Sequence, residues 1–236
     1  EGIAQQTVKD VEIILVDSGS TDGTLTVAAR YPVQVVHIAP EEFTFGRSLN
    51  LGIQAANAEL LVFASAHVYP VYPDWLEKLL APFADPQIAL VYGKQRGGPS
   101  SKYSERQIFA SWYPDDAQQY QESPFCNNAN AAVRRDLAIE HPYNETLPGL
   151  EDLDWATRMM NAGYKIHYAP EAEIIHVHEE TPRAVFNRYK REAIAFKHIY
   201  IHERFGFLDF VRLSARNILR DMQNAAHDGE LLRSFG

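Results

Sequence analysis

The chain has 236 residues, of which 46% are hydrophobic, and a formal net charge of −9. This composition is that of a globular protein, and the acidic balance argues against a dedicated nucleic-acid binder. The single cysteine, Cys126, cannot form an internal disulfide, and no apolar run approaches the roughly 20 residues that a membrane helix needs. We therefore expect a cytoplasmic protein, and contact with the inner face of the membrane stays an open alternative.

Short apolar runs alternate with segments of helical pattern along the first part of the chain. We predict strands at 11–16, 33–38, 60–64 and 88–93, and helices at 21–31, 48–58 and 74–84. Strands that are apolar at nearly every position are typical of a sheet covered on both faces. The alternation predicts an α/β three-layer sandwich with a mostly parallel central sheet.

The second part of the chain changes character. Residues 97–121 are polar and aromatic, and we interpret them as loops and one helix that shape a substrate site. Further elements are a strand at 127–134, a helix at 150–162, short strands at 164–168 and 173–177, and helices from Thr181 onward. This pattern predicts a catalytic domain over 1–180, with residues 181–236 as a helical appendage packed on it.

Asp17-Ser18-Gly19-Ser20 follows the first predicted strand. Ligands of open parallel sheets bind where the strands end, so the Asp17 carboxylate could accept a hydrogen bond from a ribose hydroxyl or a base. The alternative is that these residues only cap the next helix. Ser65-Ala66-His67 ends the third strand in the same way, and His67 could contact a phosphate, bind a metal or be structural.

Glu151, Asp152 and Asp154 crowd the start of a predicted helix. The helix dipole offsets part of their repulsion, so a plain capping cluster is one interpretation. A general base is the other, because a carboxylate can take a proton from an attacking hydroxyl. Asp154 and Arg158 lie four residues apart on one helical face, which predicts an ion pair. Asp152 points elsewhere, so one carboxylate can serve chemistry while its neighbours pair with cations.

His176 and His178 alternate on one face of a predicted strand, where they could hold a metal ion or a diphosphate. A basic helix follows them, and it can either contribute to such a site or form a solvated face. Its basic residues are Arg183, Arg188, Lys190 and Arg191.

The order of these motifs resembles family 2 glycosyltransferases of the GT-A fold. The resemblance rests on Asp17 to Thr24 after a strand, a short motif ending at Pro70, Glu151-Asp152 opening a helix, Gly163-Tyr164-Lys165, and His176. It extends to about residue 200. Four further segments are similar to bacterial rhamnosyltransferases of surface-polysaccharide synthesis: Phe43 to Asn50, Trp75, Tyr92 to Gln95, and Asn127 to Arg135.

The resemblance implies inverting transfer of a sugar from a UDP-, dTDP- or GDP-sugar to a hydroxyl of a saccharide or lipid-linked saccharide. It implies Asp152 as the catalytic base. It places the donor at Asp17, Ser18, Ser65, Arg47 and His67. It places the acceptor or the diphosphate at Glu151, Asn130, Gln95 and Arg188. A metal ion would be held by His67, His176 and His178.

Two departures from the family pattern bear on these expectations. The family's first strand would precede Glu1, so we expect that strand to be missing from the chain. Ser65-Ala66-His67 also stands where the family carries the carboxylates of its metal motif, so dependence on Mn²⁺ or Mg²⁺ stays open. The alternatives to a glycosyltransferase are a catalytically weak nucleotide-sugar-binding module and a nucleotidyltransferase.

Overall fold

The computed structural model describes residues 2–99, 101–177 and 180–229. Within these residues the strands are β1 (Ile13–Asp17), β2 (Val33–His37), β3 (Leu60–Ala64), β4 (Val68–Pro70), β5 (Ile88–Gly97), β6 (Asn130–Arg134) and β7 (Lys165–His176). The helices are α1 (Thr24–Ala28), α2 (Phe45–Ala55), α3 (Trp75–Leu80), α4 (Tyr103–Trp112), α5 (Arg135–Glu140), α6 (Glu151–Asn161), α7 (Pro182–Ile199) and α8 (Phe207–His227). The expectation of an α/β sandwich with C-terminal helices is confirmed.

The sheet is mixed rather than mostly parallel. One ladder joins β1 and β2 in parallel, and a second sheet has the order β3-β6-β5-β7-β4. In the second sheet only β5 and β7 are parallel, whereas β6 runs antiparallel to β3 and β5, and β4 runs antiparallel to β7. The long segment between β5 and β6 explains the difference, because it lets the chain enter β6 from the opposite end.

Strand β7 is continuous over Lys165–His176, where the sequence pattern predicts two short strands. The break in the pattern corresponds to a register shift, since Gly93 of β5 pairs with Ala169 and Gln95 pairs with Ile174. A β-carbon on Gly93 would lie only 2.0 Å from the carbonyl oxygen of Ala172. The close approach of the two backbones at this bulge therefore requires glycine at position 93.

The hydrophobic core lies on both faces of the second sheet. Ala131 and Val133 of β6 pack in one cluster with Trp155 of α6, whereas Ala132 packs in another with Trp75 of α3. Alternate residues of a strand point to opposite faces, so helices cover both sides of this sheet. This arrangement is the three-layer sandwich that the apolar strands predict. None of the helices within the described ranges is long and apolar enough to cross a membrane.

Candidate active site

Two buried acids, Glu151 and Asp152, open helix α6. The residue before them, Leu150, adopts the left-handed conformation with φ of 55°, so the chain turns sharply into the helix. Asp152 accepts a 2.8 Å hydrogen bond from the backbone N–H of Leu153 and a 3.2 Å bond from that of Asn128. These donors and the helix N-terminus stabilise negative charge on Asp152.

Burial dominates the ionisation of this acid pair. Burial, followed by the charge of the neighbouring Asp152, raises the pKa of Glu151 to about 8. Burial also raises the pKa of Asp152, to about 6, against the opposing effect of the Leu153 and Asn128 N–H groups. Near neutral pH the pair therefore carries about one negative charge, held mainly by Asp152. Acids whose environments separate their pKa values in this way are typical of acid–base catalysts.

A third carboxylate reaches the pair from helix α7. The charge of Glu192 raises the pKa of both Glu151 and Asp152, and burial raises the pKa of Glu192 itself. A β-carbon on Gly149 would lie 3.9 Å from the Glu192 side chain, so α7 packs directly over the start of α6. Sequence reasoning missed Glu192. The available signal was an acid directly after the basic run that ends at Arg191.

A short loop joins the end of β3 to the acid pair. The N–H of Ser65, the residue after β3, donates to the carbonyl of Ala129 at 3.4 Å. The residue before Ala129 in the chain, Asn128, donates its backbone N–H to Asp152. The Asp152 charge also raises the pKa of Tyr113, although burial is the larger cause. Ser65 and Asp152, which lie far apart in the sequence, are thus connected through one loop. Asn128 lies in the segment Asn127 to Arg135 that resembles rhamnosyltransferases, but that resemblance assigns it no role.

His67 and His176 lie side by side, with ring centroids 4.7 Å apart and planes inclined by 31°. The pairing of β4 with β7 brings them together, because Val68 lies opposite His176. The Nδ1 atom of His176 is 2.7 Å from the amide oxygen of buried Gln95. Because an amide oxygen only accepts, the Nδ1–H of His176 donates this hydrogen bond. The structure therefore brings together three predicted residues, His67, His176 and Gln95.

The histidine pair offers imidazole nitrogens and no carboxylate. Over the three described ranges, no cluster of three or more His, Cys, Asp or Glu side chains is arranged to hold a metal ion. His178, the third predicted ligand, lies outside the described residues. Imidazole nitrogens suit Mn²⁺ better than Mg²⁺, which prefers oxygen ligands.

Asp17 ends β1 and is buried, whereas Ser18 beside it is exposed. The Asp17 carboxylate accepts hydrogen bonds from the N–H groups of Gly19 at 3.1 Å and Ser20 at 3.2 Å. The Ser20 hydroxyl is the largest cause of its lowered pKa, followed by these N–H groups, so Asp17 is ionised. His37 of β2 lies 3.6 Å from the same carboxylate. Part of its bonding therefore shapes the turn after β1, although it does not cap α1, whose N-cap Gly23 has no side-chain cap hydrogen bond.

The two predicted arginines are engaged with acids. Arg47, in the first turn of α2, lies 3.3 Å from Glu42 and 3.9 Å from Glu145. Arg188 of α7 lies 2.9 Å from Glu180 and 3.7 Å from Glu192. Arg188 is thus linked to the acid pair through Glu192, which lies close to it. Binding of a phosphate by either arginine would require exchange of these partners.

The Asn130 amide has a structural role. Its side chain is fully buried, and its amide oxygen accepts a 2.9 Å hydrogen bond from the indole N–H of Trp75. Its amide nitrogen donates to the carbonyls of Lys94 and Ala172 at 3.1 and 2.8 Å. These three bonds use the amide inside the protein and tie β6 to α3, β5 and β7. These bonds argue against the expected contact of Asn130 with the acceptor, which stays a prediction.

Comparison with known proteins decides the family. The model of glycosyl transferase family 2 matches residues 1–141. The chain belongs to glycosyl transferase family 2. The O-antigen chain rhamnosyltransferase RfbN of Salmonella typhimurium is 30% identical over 202 residues, which is 80% of this chain and 64% of that protein. The relative WbaN of Salmonella anatum is 31% identical over 204 residues, 78% of this chain and 62% of that protein.

The likeness to rhamnosyltransferase-like members of the family is thereby confirmed, although the chain spans less than two thirds of these relatives' length. Among solved structures, a mannosyltransferase of Pyrobaculum calidifontis in complex with GDP-Man and Mn²⁺ superposes with a TM-score of 0.66. It is 19% identical, and the match covers 99% of this chain and 67% of that one. At this identity the likeness concerns the fold, which is that of GT-A glycosyltransferases.

Proposed function

We propose that the protein transfers a sugar from a nucleotide-sugar to a hydroxyl of a saccharide acceptor, with inversion at the anomeric carbon. The observation that carries the proposal is the buried pair at the start of α6. There Asp152 is held by two backbone N–H groups with a pKa of about 6, beside Glu151 with a pKa of about 8. Membership of glycosyl transferase family 2 supports the reaction type.

Asp152 acts as the general base in this proposal. The acceptor hydroxyl attacks the anomeric carbon on the face opposite the nucleotide, and Asp152 takes the hydroxyl proton as the new bond forms. Because Glu151 stays protonated near neutral pH, it can donate a hydrogen bond to the acceptor. The fixed N–H donors of Leu153 and Asn128 keep the Asp152 carboxylate in position throughout.

The leaving diphosphate gains negative charge as the sugar departs, and His67 and His176 stabilise that charge in the proposal. Ser65 donates to Ala129, which adjoins the Asn128 that binds Asp152, so the diphosphate and base positions belong to one site in the proposal. Where a divalent ion binds together with the donor, the two imidazoles would hold it, and it would supply positive charge for the leaving oxygens. Asp17 would hold the nucleoside through its free lone pairs.

Rhamnose is the sugar we propose, supplied as a nucleoside diphosphate donor. Two relatives at 30% and 31% identity are named O-antigen chain rhamnosyltransferases, which supports this sugar and a role in surface-polysaccharide synthesis. The acceptor would be a saccharide or a lipid-linked saccharide. A protein that contacts the inner face of the membrane would meet such an acceptor.

A binding module without catalysis is the alternative, and the buried acids argue against it. Burying two carboxylates costs stability, and binding a neutral sugar does not require a base with a raised pKa. The test is incubation of the protein with rhamnosyl, mannosyl and glucosaminyl nucleotides, with and without a saccharide acceptor. Acceptor-dependent release of nucleotide, with inverted configuration in the product, would support transfer. Donor binding without turnover on any acceptor tried would favour the module.

A further inference from the structure

The last helix, α8, exposes large apolar side chains along one side. Phe207 is 78% and Leu208 81% exposed, and the other exposed apolar residues of the helix that lie on the same side are Val211, Ile218, Leu219 and Met222. Phe207, Val211, Ile218 and Met222 are spaced by four, seven and four residues, and Leu208 and Leu219 border them. This spacing places them on one face, which we call the α8 apolar face. Isolated exposed apolar residues need no explanation, but a continuous stripe does.

Helix α8 is attached to the body near its C-terminal end. Asn224 donates to Gln107 of α4 at 2.6 Å, Asp228 accepts from the Tyr103 hydroxyl at 2.8 Å, and Ala225 is buried. These contacts lie near the C-terminal end of α8. The N-terminal half, which carries Phe207 and Leu208, is the most exposed part. The α8 apolar face is thus presented to the surroundings by a helix that is anchored at its other end.

Arginines border the α8 apolar face. Arg212, Arg216 and Arg220 follow one another at intervals of four residues, so they form a row beside the apolar stripe. The last of them, Arg220, also donates to the Ser111 hydroxyl of α4 at 3.5 Å. Residues 182–227, which include α7 and α8, hold nine Lys and Arg against four Asp and Glu, a net charge of +5. Residues 1–181 hold 12 Lys and Arg against 25 Asp and Glu, a net charge of −13. Basic charge is therefore concentrated at the C-terminal helices.

We propose that the α8 apolar face docks the protein on an anionic lipid bilayer. A helix with an apolar stripe flanked by arginines is suited to lie in the membrane interface, with the apolar side chains among the acyl chains and the arginines at the lipid phosphates. The acidic body is repelled by the same surface, so charge sets the orientation of the protein. The evidence for this docking surface does not depend on the proposed sugar transfer.

A second copy of the chain fits the face less well. Pairing two α8 helices would cover the apolar residues, but it would also bring two rows of three arginines together, and each helix offers only Asp209 and Asp221 in compensation. The acidic body of another copy would match the arginines but would leave the apolar stripe against charged groups. An anionic bilayer satisfies both the stripe and the row.

Docking through α8 would also place the candidate active site near the membrane. Helix α4 contacts α8 through Gln107, and its Phe109 ring packs 6.2 Å from the His176 ring on the opposite side. One helix therefore separates the docking surface from the histidine pair. A lipid-linked acceptor would be held within reach of the site.

Co-sedimentation of the chain with vesicles tests the proposal. We expect binding to vesicles of equal parts phosphatidylglycerol and phosphatidylcholine, and weak binding to phosphatidylcholine alone. The double variant Phe207→Ser, Leu208→Asp should lose roughly tenfold or more in affinity for the anionic vesicles. Arg212→Glu with Arg216→Glu should lose binding at low salt. The matched controls are Val27→Asp and Arg30→Glu, which alter exposed residues of the acidic body.

Light scattering and thermal unfolding of the same variants complete the test. We expect unchanged mass and unchanged Tm, because the altered side chains are exposed. Equal vesicle binding by the α8 variants and the controls would overturn the proposal, as would no binding of the parent chain. A dimer that the α8 variants dissociate would show that the face is an interface between copies. Sugar transfer to a soluble acceptor should be unaffected, so a failure of docking is distinguishable from a failure of the proposed function.

Discussion

Asp154 and Arg158 form a 3.0 Å ion pair one helical turn apart on α6. This pair, which the spacing in the sequence predicts, neutralises one of the three acids at the start of the helix. Arg158 also donates to the carbonyl of Pro142 at 2.8 Å, so its guanidinium is held away from the buried end of the cluster. Glu151 and Asp152 are left as the pair whose ionisation is set by burial. The division of roles among the three carboxylates follows from this arrangement.

The first prediction concerns stability and pH. Because the pKa of Glu151 is raised on folding, its contribution to stability is present in acid and is lost as the pH rises toward about 8. Glu151→Gln removes this titration, so the variant should exceed the parent in free energy of unfolding by on the order of 1–3 kcal/mol at pH 9, and by little at pH 4. Urea unfolding at both pH values measures the difference. The exposed Glu77→Gln is the control, and an equal effect of the two substitutions would reject the assignment.

The second prediction concerns Asp17. Its ionised carboxylate should bind the nucleoside, so Asp17→Ala should weaken donor binding by about 1–3 kcal/mol and change the rate of the bound complex less. Calorimetric titration with nucleoside diphosphates measures the affinity. Asp22→Ala alters an exposed acid of the same turn, whose carboxylate accepts from the N–H of Thr24, and serves as the control. Equal affinity of parent and Asp17→Ala would leave Asp17 with only its role in the turn.

The third prediction separates structure from function at Asn130. Removing its amide leaves the Trp75 indole N–H and the carbonyls of Lys94 and Ala172 without their partner in a dry interior. Asn130→Ala should therefore cost about 2–4 kcal/mol in the free energy of unfolding, while the folded fraction retains its donor affinity. The exposed Asn161→Ala should cost far less. A variant with parent-like stability and lost acceptor binding would restore the role expected from the sequence.

The fourth prediction concerns the metal. Two imidazoles without a carboxylate should bind Mg²⁺ weakly, so chelation should reduce transfer only modestly and Mn²⁺ should restore it better than Mg²⁺. His67→Ala should remove the preference for Mn²⁺. His37→Ala, which alters a histidine beside Asp17 instead, is the control. Strict and selective dependence on Mg²⁺ would contradict this account of the site.

The sequence predicts local structure well where a pattern repeats within a few residues. The apolar runs of β1, β2 and β3 and the motif at Glu151-Asp152 are recognisable because their signals are contiguous. The direction of β6 and the continuity of β7 cannot be recognised in this way. The direction of β6 depends on where the long loop after β5 returns the chain to the sheet. The continuity of β7 depends on the bulge at Gly93. Short β4 was missed for the same reason, because its three residues form a strand only against β7.

The candidate site shows the same limit. Motifs identify Asp152, His67 and His176, but only the fold shows that Gln95 orients His176 and that Asn128 holds Asp152. Asn130 is a polar residue of the same segment as Asn128, yet its amide faces the core rather than the site. The pairing of β6 between β3 and β5 decides whether each of these two residues faces the core or the site. The sequence carries no local signal for that pairing.

Asp152→Asn tests the central claim most directly. Transfer rate and donor affinity are measured for the parent, for this variant and for Asp154→Asn, with Tm recorded for each. The account predicts that Asp152→Asn lowers the transfer rate by about 100-fold or more with nearly unchanged donor affinity, and that Asp154→Asn retains most activity. The parent rate should also rise as the pH passes through about 6, where Asp152 loses its proton. An unchanged transfer rate in a folded Asp152→Asn protein would contradict the assignment of Asp152 as the base.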